Sequence, residues 1–386
     1  MKVFRAIIRI FFLIVAIGLL ALSIGTLVPK TPFFGSIAAY ITMGWYRVFI
    51  PATAALFLAV IIFFLVKRKW LNLLSAAFLA ATIVICCVCL SGVIMTFREA
   101  GAMVDVAKTY SAKIDGDVQV KTVPYATSDT GEAALDVYYR EDGKTGKPIV
   151  AYIHGGGWTS GDKSDHAYYW RKAAEAGYVA VSIGYDLSDK EHHRVNTCEK
   201  QLTAAFAYLN THAAEYGASC DRLYLTGDSA GGNLALELAY KINDGVYTEW
   251  EGVALPKVKA VAVTYPVAYP AVFWQNDDMI LGKPSKEMCE SYTGTTPEKD
   301  KATYDGITPA NYIDAFTPPT MIIVGKCDTM VQPEQSYDLA TALEAAGIEN
   351  KLVALPYLNH GFDTQNGDVL TQGVLSLLTQ WFEAHP

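Results

Sequence analysis

The six residues at positions 227–232, which read GDSAGG, constrain this chain more than any other feature of its sequence. They follow an apolar run and precede a helix-like segment over 233–242, and this pattern predicts a strand that turns sharply into a helix. In so tight a turn, a side chain at Gly227 or Gly231 would clash with neighbouring backbone. The turn is expected to push the Ser229 hydroxyl out of the fold, where it can act as a nucleophile.

A second glycine-rich run, HGGGW at residues 154–158, follows a predicted buried strand over 149–153. Glycines let the backbone approach a substrate closely, and fixed backbone N–H groups stabilise the oxyanion of a tetrahedral intermediate. We assign the oxyanion hole to the N–H groups of Gly156, Gly157 and Ala230, the last being the residue after the predicted nucleophile.

Two further polar residues follow predicted apolar strands. Asp328 comes after the strand at 321–324, and His360 comes after the strand at 352–355. The chain order Ser229, Asp328, His360 is the order expected for the catalytic triad of an α/β-hydrolase. His360 would accept the serine proton and later protonate the leaving group, while Asp328 would orient the imidazole ring.

These motifs, together with residues 318–328 and the HGF of 360–362, resemble the hormone-sensitive-lipase-like branch of the α/β-hydrolase esterases. The resemblance extends from about residue 118 to the C-terminus. It implies carboxylic ester hydrolysis by the three residues named above, with neither a metal nor an organic cofactor. One departure is YDLSDK at 185–190, where that branch often has YRLAPE. HGGGW with the following Gly161-Asp162 also resembles polysaccharide de-acetylating esterases and arylformamidases of the same fold.

The pattern of apolar segments predicts an α/β fold with a mostly parallel sheet covered by helices on both faces. A β-hairpin over 118–123 and 134–139 should open the sheet. The parallel strand candidates are 149–153, 179–183, 223–226, 260–264, 321–324 and 352–355, and the main helix candidates are 197–215, 233–243, 333–346 and 369–384.

Three long uncharged runs at residues 10–29, 48–66 and 71–97 are each long enough to form a transmembrane helix. We therefore divide the chain into a membrane anchor over 1–97, a connector over 98–116 and a catalytic domain over 117–386. Within that domain, residues 266–316 carry five prolines and break the strand–helix alternation. We expect this stretch to be a cap inserted over the active site.

The basic residues predict how the anchor is oriented. Lys2, Arg5 and Arg9 precede the first span, and Lys67, Arg68 and Lys69 lie between the second and third. Only Lys30 and Arg47 lie between the first and second spans. The positive-inside rule then leaves the catalytic domain outside the cytoplasm. Cleavage of the first span as a signal peptide would not change that location.

Charge and cysteine spacing exclude two classes of partner. Residues 105–386 hold 22 basic and 38 acidic residues, a balance that argues against binding to nucleic acid. The cysteines show no spacing typical of a zinc site, and an oxidising exterior would permit a disulfide among the four cysteines of the domain. Cys327 is expected to be a packing residue, and His192-His193 a solvated loop.

We expect the substrate to be a short acyl or acetyl ester outside the cytoplasm, on a small molecule or a glycan. Five aromatic residues could stack on sugars near the mouth of the site, namely Trp158, Tyr168, Tyr169, Trp170 and Trp274. Three alternatives stay open: an acyltransferase with the same triad, a lipid esterase, and a non-catalytic binding module on the same fold.

Overall fold

The computed structural model describes residues 2–28, 34–67, 69–114, 116–128, 131–276 and 284–386. Their contacts divide the chain into two compact units. The N-terminal unit comprises Met1–Ser111, Gly325–Thr329 and Ala354–Gly373, and the sheet unit comprises Ala112–Val324, Met330–Val353 and Val374–Pro386. Lys30 and Arg68, which contribute to the predicted orientation, lie outside the described residues.

Among its described residues up to Ser111, the N-terminal unit has the α-helices α1 (Lys2–Leu27), α2 (Phe34–Ala39), α3 (Tyr46–Lys67) and α4 (Trp70–Glu99). Three of them are long and apolar enough to cross a membrane, over 25, 21 and 30 residues. Many of their large apolar side chains are exposed in the structure. These helices confirm the three predicted apolar segments. Helix α2 continues as a π-helical turn over Tyr40–Gly44.

The later stretches Gly325–Thr329 and Ala354–Gly373 belong to the same N-terminal unit, and the second of them packs against α4. The fully buried ring of Phe97, near the end of α4, lies directly against Gly373. The Tyr357 ring lies beside Gly92 of the same helix. The hydroxyl of Tyr46 accepts the backbone N–H of Val369 at 3.0 Å.

The central sheet has eight strands in the order β1-β2-β4-β3-β5-β8-β9-β10. After an antiparallel β1–β2 hairpin, strands β4, β3, β5, β8 and β9 pair in parallel, which confirms the predicted mostly parallel sheet. A separate two-stranded β6–β7 ribbon was not expected from the sequence. The strands are β1 (Gln119–Ser128), β2 (Gly131–Tyr139), β3 (Lys147–Ile153), β4 (Val179–Ile183), β5 (Ala218–Asp228), β6 (Glu249–Trp250), β7 (Val253–Ala254), β8 (Ala260–Thr264), β9 (Thr320–Gly325) and β10 (Asn350–Leu355).

Helices alternate with the parallel strands, as the sequence pattern predicts. Strands β4, β8 and β9 are buried along their whole length, because an interior parallel strand is covered on both faces. Large side chains from strands and helices, including Phe206, Leu225 and Ile322, join one apolar core. The flanking helices are α5 (Ala167–Glu175), α6 (Val195–His212), α7 (Ser229–Asp244), α11 (Pro333–Ala345) and α12 (Val369–Ala384).

In its described residues, the stretch predicted to be a cap, 266–316, contains three short α-helices and a 3₁₀ turn over Pro309–Tyr312. The α-helices are α8 (Pro270–Trp274), α9 (Ser285–Thr293) and α10 (Lys301–Gly306), while residues 277–283 lie outside the described part of the chain. The stretch is anchored by buried apolar side chains, among them Phe273, Tyr292 and Tyr304. It is therefore packed onto the sheet unit.

Candidate active site

Ser229 sits where β5 meets α7. Asp228, the last residue of the strand, has an extended backbone, and Ser229 has a φ of 54°. A residue other than glycine is strained in this left-handed region, and such strain is typical of functional turns. The side chain is recessed, with Ser229 only 8% exposed, so the expectation of an outward-facing hydroxyl is wrong.

The glycines around this turn are required by close backbone contacts. A Cβ atom at Gly227 would overlap the carbonyl oxygen of Gly231. A Cβ atom at Gly231 would overlap the carbonyl oxygens of Ile153 and His154, at the end of β3. These contacts confirm the predicted steric reason for both glycines.

The second glycine run forms a loop directly after β3. Gly156 has a φ of 109° and Gly157 a φ of 61°, values that favour glycine. The N–H groups of both glycines donate to no acceptor within the described parts of the chain. The N–H of Ala230 lies in the first turn of α7, where a backbone donor has no partner inside its own helix. These three N–H groups stay the predicted oxyanion donors.

One carboxylate links the nucleophile turn to this loop. Asp228 Oδ1 accepts the Tyr152 hydroxyl at 2.5 Å and the Gly155 N–H at 3.1 Å. A Cβ atom at Gly155 would overlap the same carboxylate, so the contact also depends on a glycine. In the sequence, Asp228 is part of the GDSAGG run, and the spacing of that run does not indicate this contact. Its position next to the nucleophile was the available signal.

The other two predicted triad residues meet in the N-terminal unit. His360 Nδ1 lies 2.7 Å from Asp328 Oδ2, and the Asp328 side chain is fully buried. Asp328 follows β9 and His360 follows β10, as the sequence pattern predicts. Such a buried carboxylate can hold one imidazole tautomer and stabilise the ring when it is protonated.

Comparison with known proteins gives the family. Residues 135–343, more than half of the chain, match the BD-FAE family. The chain belongs to the BD-FAE family. It is 29% identical to Esterase LipQ of Mycobacterium tuberculosis over 250 residues, which are 64% of this chain and 58% of LipQ. It is also 24% identical to the Ethyl acetate hydrolase of Pseudomonas putida over 279 residues, covering 69% and 80% of the two chains. The chain spans little more than half the length of LipQ and of the M. tuberculosis LipM.

Solved structures agree on the fold. A structure titled Bacterial Heroin Esterase superposes with a TM-score of 0.60 at 22% identity, covering 72% of this chain and 88% of that one. An inhibited Esterase B from Lactobacillus rhamnosis gives a TM-score of 0.56 at 25% identity, covering 77% and 96%. This BD-FAE chain therefore has the α/β-hydrolase fold that the sequence predicts, preceded by three long apolar helices.

In this BD-FAE protein the His154 side chain supports the glycine loop from beneath. Its ring stacks on Tyr185 with centroids 4.3 Å apart, and the Tyr185 hydroxyl donates to the His154 carbonyl oxygen at 2.9 Å. Burial lowers the pKa of His154, and its Nδ1 lies 2.8 Å from the Gly155 carbonyl oxygen, to which it can donate. Tyr185 is the first residue of the YDLSDK run, so the departure from YRLAPE keeps this tyrosine.

The aromatic stacking platform proposed from the sequence is wrong for three of its five residues. Trp158, Tyr169 and Trp170 are each at most 3% exposed. Trp158 stacks on Tyr292 of α9 with centroids 4.8 Å apart, so it fills the core beneath the glycine loop. Trp274 is half-buried, and its Nε1 donates to Glu290. The aromatic character of these residues alone did not distinguish a ring buried in the core from an exposed ring that could stack on a sugar.

Within the described residues, the cysteines and the other histidines form neither a second catalytic site nor a metal site. All seven cysteines are free thiols, and burial raises the pKa of Cys327 to about 12, which keeps it protonated. His192 is exposed and pairs with Asp189 at 3.0 Å. No group of three potential metal ligands occurs within the described residues.

Proposed function

We propose that this protein is a serine carboxylic-ester hydrolase with Ser229 as nucleophile, His360 as general base and acid, and Asp328 as the orienting carboxylate. The observation that carries the proposal is the strained Ser229 at the β5–α7 turn, tied through Asp228 to the glycine loop. The names of LipQ, LipM and the Ethyl acetate hydrolase, all ester hydrolases, support the reaction class.

The proposed reaction proceeds through an acyl-enzyme. Ser229 Oγ attacks the ester carbonyl carbon while His360 Nε2 accepts the hydroxyl proton. The C–O bond to the alcohol then breaks, and His360 returns the proton to the departing oxygen. Water attacks the acyl-enzyme with the same base, which releases the free acid and restores Ser229. Asp328 keeps the proton of His360 on Nδ1, so that Nε2 is free to accept.

The oxyanion of each tetrahedral intermediate would bind the N–H groups of Gly156, Gly157 and Ala230. These donors are held by backbone geometry, so they need little reorganisation when negative charge develops on the oxygen. Asp228 fixes the loop at Gly155, and His154 holds it from beneath through the Gly155 carbonyl oxygen. None of these groups contacts the substrate, but each restricts where the donors point.

We propose a short acyl group as the preferred substrate feature. Met288 of α9 lies against Gly157, where a Cβ atom would overlap its sulfur. This places a buried thioether beside the predicted oxyanion donors, a position that would shorten the space for an acyl chain. The acetate ester in the name of the Pseudomonas relative supports the same preference. The residues 266–316 that carry Met288 would then act as a partial cap.

We also propose that the apolar helices anchor the enzyme in a membrane, with the catalytic residues on the non-cytoplasmic side. The length and composition of α1, α3 and α4 support an anchor. The basic residues near Arg5, Arg9 and Lys69 support the orientation. A protease added to intact cells should digest the sheet unit, and digestion only after lysis would contradict this orientation.

The reaction is tested with the full-length protein in detergent and a series of p-nitrophenyl esters from acetyl to dodecanoyl. We expect release of free acid that is fastest for acetyl or butyryl and absent in Ser229→Ala. Adding an alcohol acceptor separates hydrolysis from acyl transfer, because a transferase would form a new ester at the expense of free acid. Equal turnover by the wild type and Ser229→Ala would refute the proposal.

A further inference from the structure

The short helix α2, which lies between two of the long apolar helices, touches the loops that carry Asp328 and His360. Its residue Ser36 is 4% exposed, although the helix is apolar overall. The Ser36 hydroxyl lies 2.6 Å from the hydroxyl of Thr329, the residue after Asp328. The same hydroxyl lies 2.8 Å from the side-chain amide nitrogen of Asn359, the residue before His360. Ser36 thus contacts both the residue after Asp328 and the residue before His360.

Asn359 completes this arrangement with its other amide atom. Its Oδ1 accepts the backbone N–H of His360 at 2.7 Å and the backbone N–H of Thr329 at 3.1 Å. Its Nδ2 donates to the Ser36 hydroxyl and lies 3.2 Å from the Ser36 carbonyl oxygen. One amide therefore joins the loop after β9, the loop after β10 and helix α2. A buried amide with both its oxygen and its nitrogen engaged has little freedom to turn.

Helix α2 is itself fixed in place. Thr42, one turn beyond its end, donates to the Ala38 carbonyl oxygen at 2.8 Å and lies 2.6 Å from the Thr26 hydroxyl of α1. Gly25 of α1 has no room for a Cβ atom because Ala38 lies against it. These contacts give Ser36 a rigid support, which is what a positioning group requires.

We propose that Ser36 and Asn359 are positioning residues for the Asp328–His360 pair, so that the N-terminal segment is part of the catalytic machinery as well as an anchor. This inference rests on the proposed triad. Neither residue need contact the substrate, because Asn359 bonds the backbone that carries the imidazole ring and Ser36 bonds Asn359. Displacement of a reacting group by about 1 Å can cost about 10²-fold in rate, so small changes in this support should be visible in kcat.

The two residues should differ in how much they contribute. Ser36→Ala removes the hydroxyl, but Asn359 keeps the Ser36 carbonyl oxygen as an acceptor, so we expect kcat to fall about 3- to 10-fold. Asn359→Ala removes the amide, including the oxygen that accepts the N–H groups of His360 and Thr329. For that variant we expect kcat to fall about 10²-fold. KM should stay within about twofold of the wild-type value in both variants, because substrate binding is not altered.

The test uses full-length protein in detergent micelles with p-nitrophenyl acetate as the probe. The matched control is Ser75→Ala, which removes a buried serine hydroxyl of α4 that donates to the carbonyl oxygen of Leu71 in its own helix. Each preparation is titrated to completion with a serine-directed phosphonate, and kcat is expressed per titrated site. A variant that merely folds poorly would show fewer sites with normal kcat per site. A positioning variant shows lower kcat per site at unchanged KM.

Several outcomes are distinguishable. Reduced kcat per site in Ser36→Ala and Asn359→Ala, with Ser75→Ala unchanged, supports the inference. Wild-type kcat per site in Ser36→Ala and Asn359→Ala, while Ser229→Ala is inactive, overturns it and leaves the proposed function intact. Full activity of Ser229→Ala would overturn the proposed function itself, whatever the other variants do. Should Asn359→Ala give no titratable sites, Ser36→Ala decides the question.

Discussion

The two halves of the proposed catalytic apparatus are held in different ways. Ser229 and the glycine loop are fixed largely by backbone, through a strained turn between β5 and α7 and glycines without room for a side chain. One neighbouring side chain, the Asp228 carboxylate, adds a bond to the Gly155 N–H. Asp328 and His360 lie on loops beyond β9 and β10, and side chains hold them. Asn359 and Ser36, more than 300 positions apart, make the connection.

This difference determines what a sequence reveals. A backbone-held site must place glycines and a nucleophile at adjacent positions, so its signature is local. A side-chain-held site can recruit its support from any part of the chain that packs nearby, and no spacing rule marks the partner. The nucleophile side should therefore be intolerant of any added side chain, whereas the acid–base side should respond in a graded way to its supporting residues.

The largest effect on the acid–base side should come from the carboxylate. Asp328→Asn should lower kcat by about 10⁴-fold, because an amide cannot hold the imidazole with its proton on Nδ1. Asp338→Asn is the matched control, since Asp338 is exposed on α11 and should tolerate the same change. Initial rates on p-nitrophenyl acetate measure both. Near-native turnover of Asp328→Asn would remove this residue from the triad.

The nucleophile side has its own test residue. Asp228→Ala removes the acceptor for the Gly155 N–H and the Tyr152 hydroxyl, and should lower kcat by about 10²-fold through movement of the oxyanion donors. Asp221→Asn, an exposed change on the same strand, should leave the rate within about twofold. If Asp228→Ala were as active as Asp221→Asn, the glycine loop would be held by its backbone alone.

A smaller effect is expected at Met288, where a substitution should alter the preferred acyl chain length more than the overall rate of hydrolysis. Met288→Ala opens space beside Gly157 and should raise the ratio of hexanoyl to acetyl hydrolysis several-fold, since one methylene in a pocket is worth about 1–3 kcal/mol. Met103, which is 78% exposed, supplies the control variant Met103→Ala with no expected change. The measurement is kcat/KM across the ester series. If the dependence of kcat/KM on acyl chain length were unaltered in Met288→Ala, α9 would have no role in acyl recognition.

The smallest effect concerns stability and lies in the N-terminal unit. Burial raises the pKa of Asp368 to about 6, above the usual value for an unfolded chain. The folded state therefore binds the Asp368 proton more tightly than the unfolded state does. The resulting stabilisation of the folded state is present below about pH 4 and is lost as the pH rises through about 6. Asp368→Asn keeps a cap for Thr371 but has no charge to bury. It should raise the free energy of unfolding by about 2 kcal/mol at pH 8 and much less at pH 4. Melting temperatures at the two pH values check this, and equal shifts at both would contradict the assignment.

The sequence predicted the elements that have local patterns. Strands at 179–183 and 260–264 and the helix at 369–384 were predicted with the observed bounds. The glycine requirement at Gly227 was predicted from the turn alone. The pairing of Asp328 with His360 followed from strand-end placement and chain order. Each of these depends on short-range periodicity or on the rule that parallel strands end at one edge.

The features that the sequence did not predict depend on packing between residues far apart in the chain. Nothing near Ser36 or Asn359 in the sequence indicates that they bond to each other, because their contact exists only once the chain is folded. The same limit explains the error for Trp158, Tyr169 and Trp170, whose burial is decided by neighbours such as Tyr292. Asp228 was present in the motif, but its partner Gly155 became visible only in the structure.

The most direct test of the account is the identity of the nucleophile. The full-length protein is incubated with a p-nitrophenyl phosphonate, and its peptides are then mapped by mass spectrometry. The account predicts one stoichiometric adduct on the peptide that carries Ser229, loss of esterase activity in proportion to labelling, and no adduct in Ser229→Ala. An adduct of equal yield in Ser229→Ala, or one located on another serine or on Cys327, would contradict it.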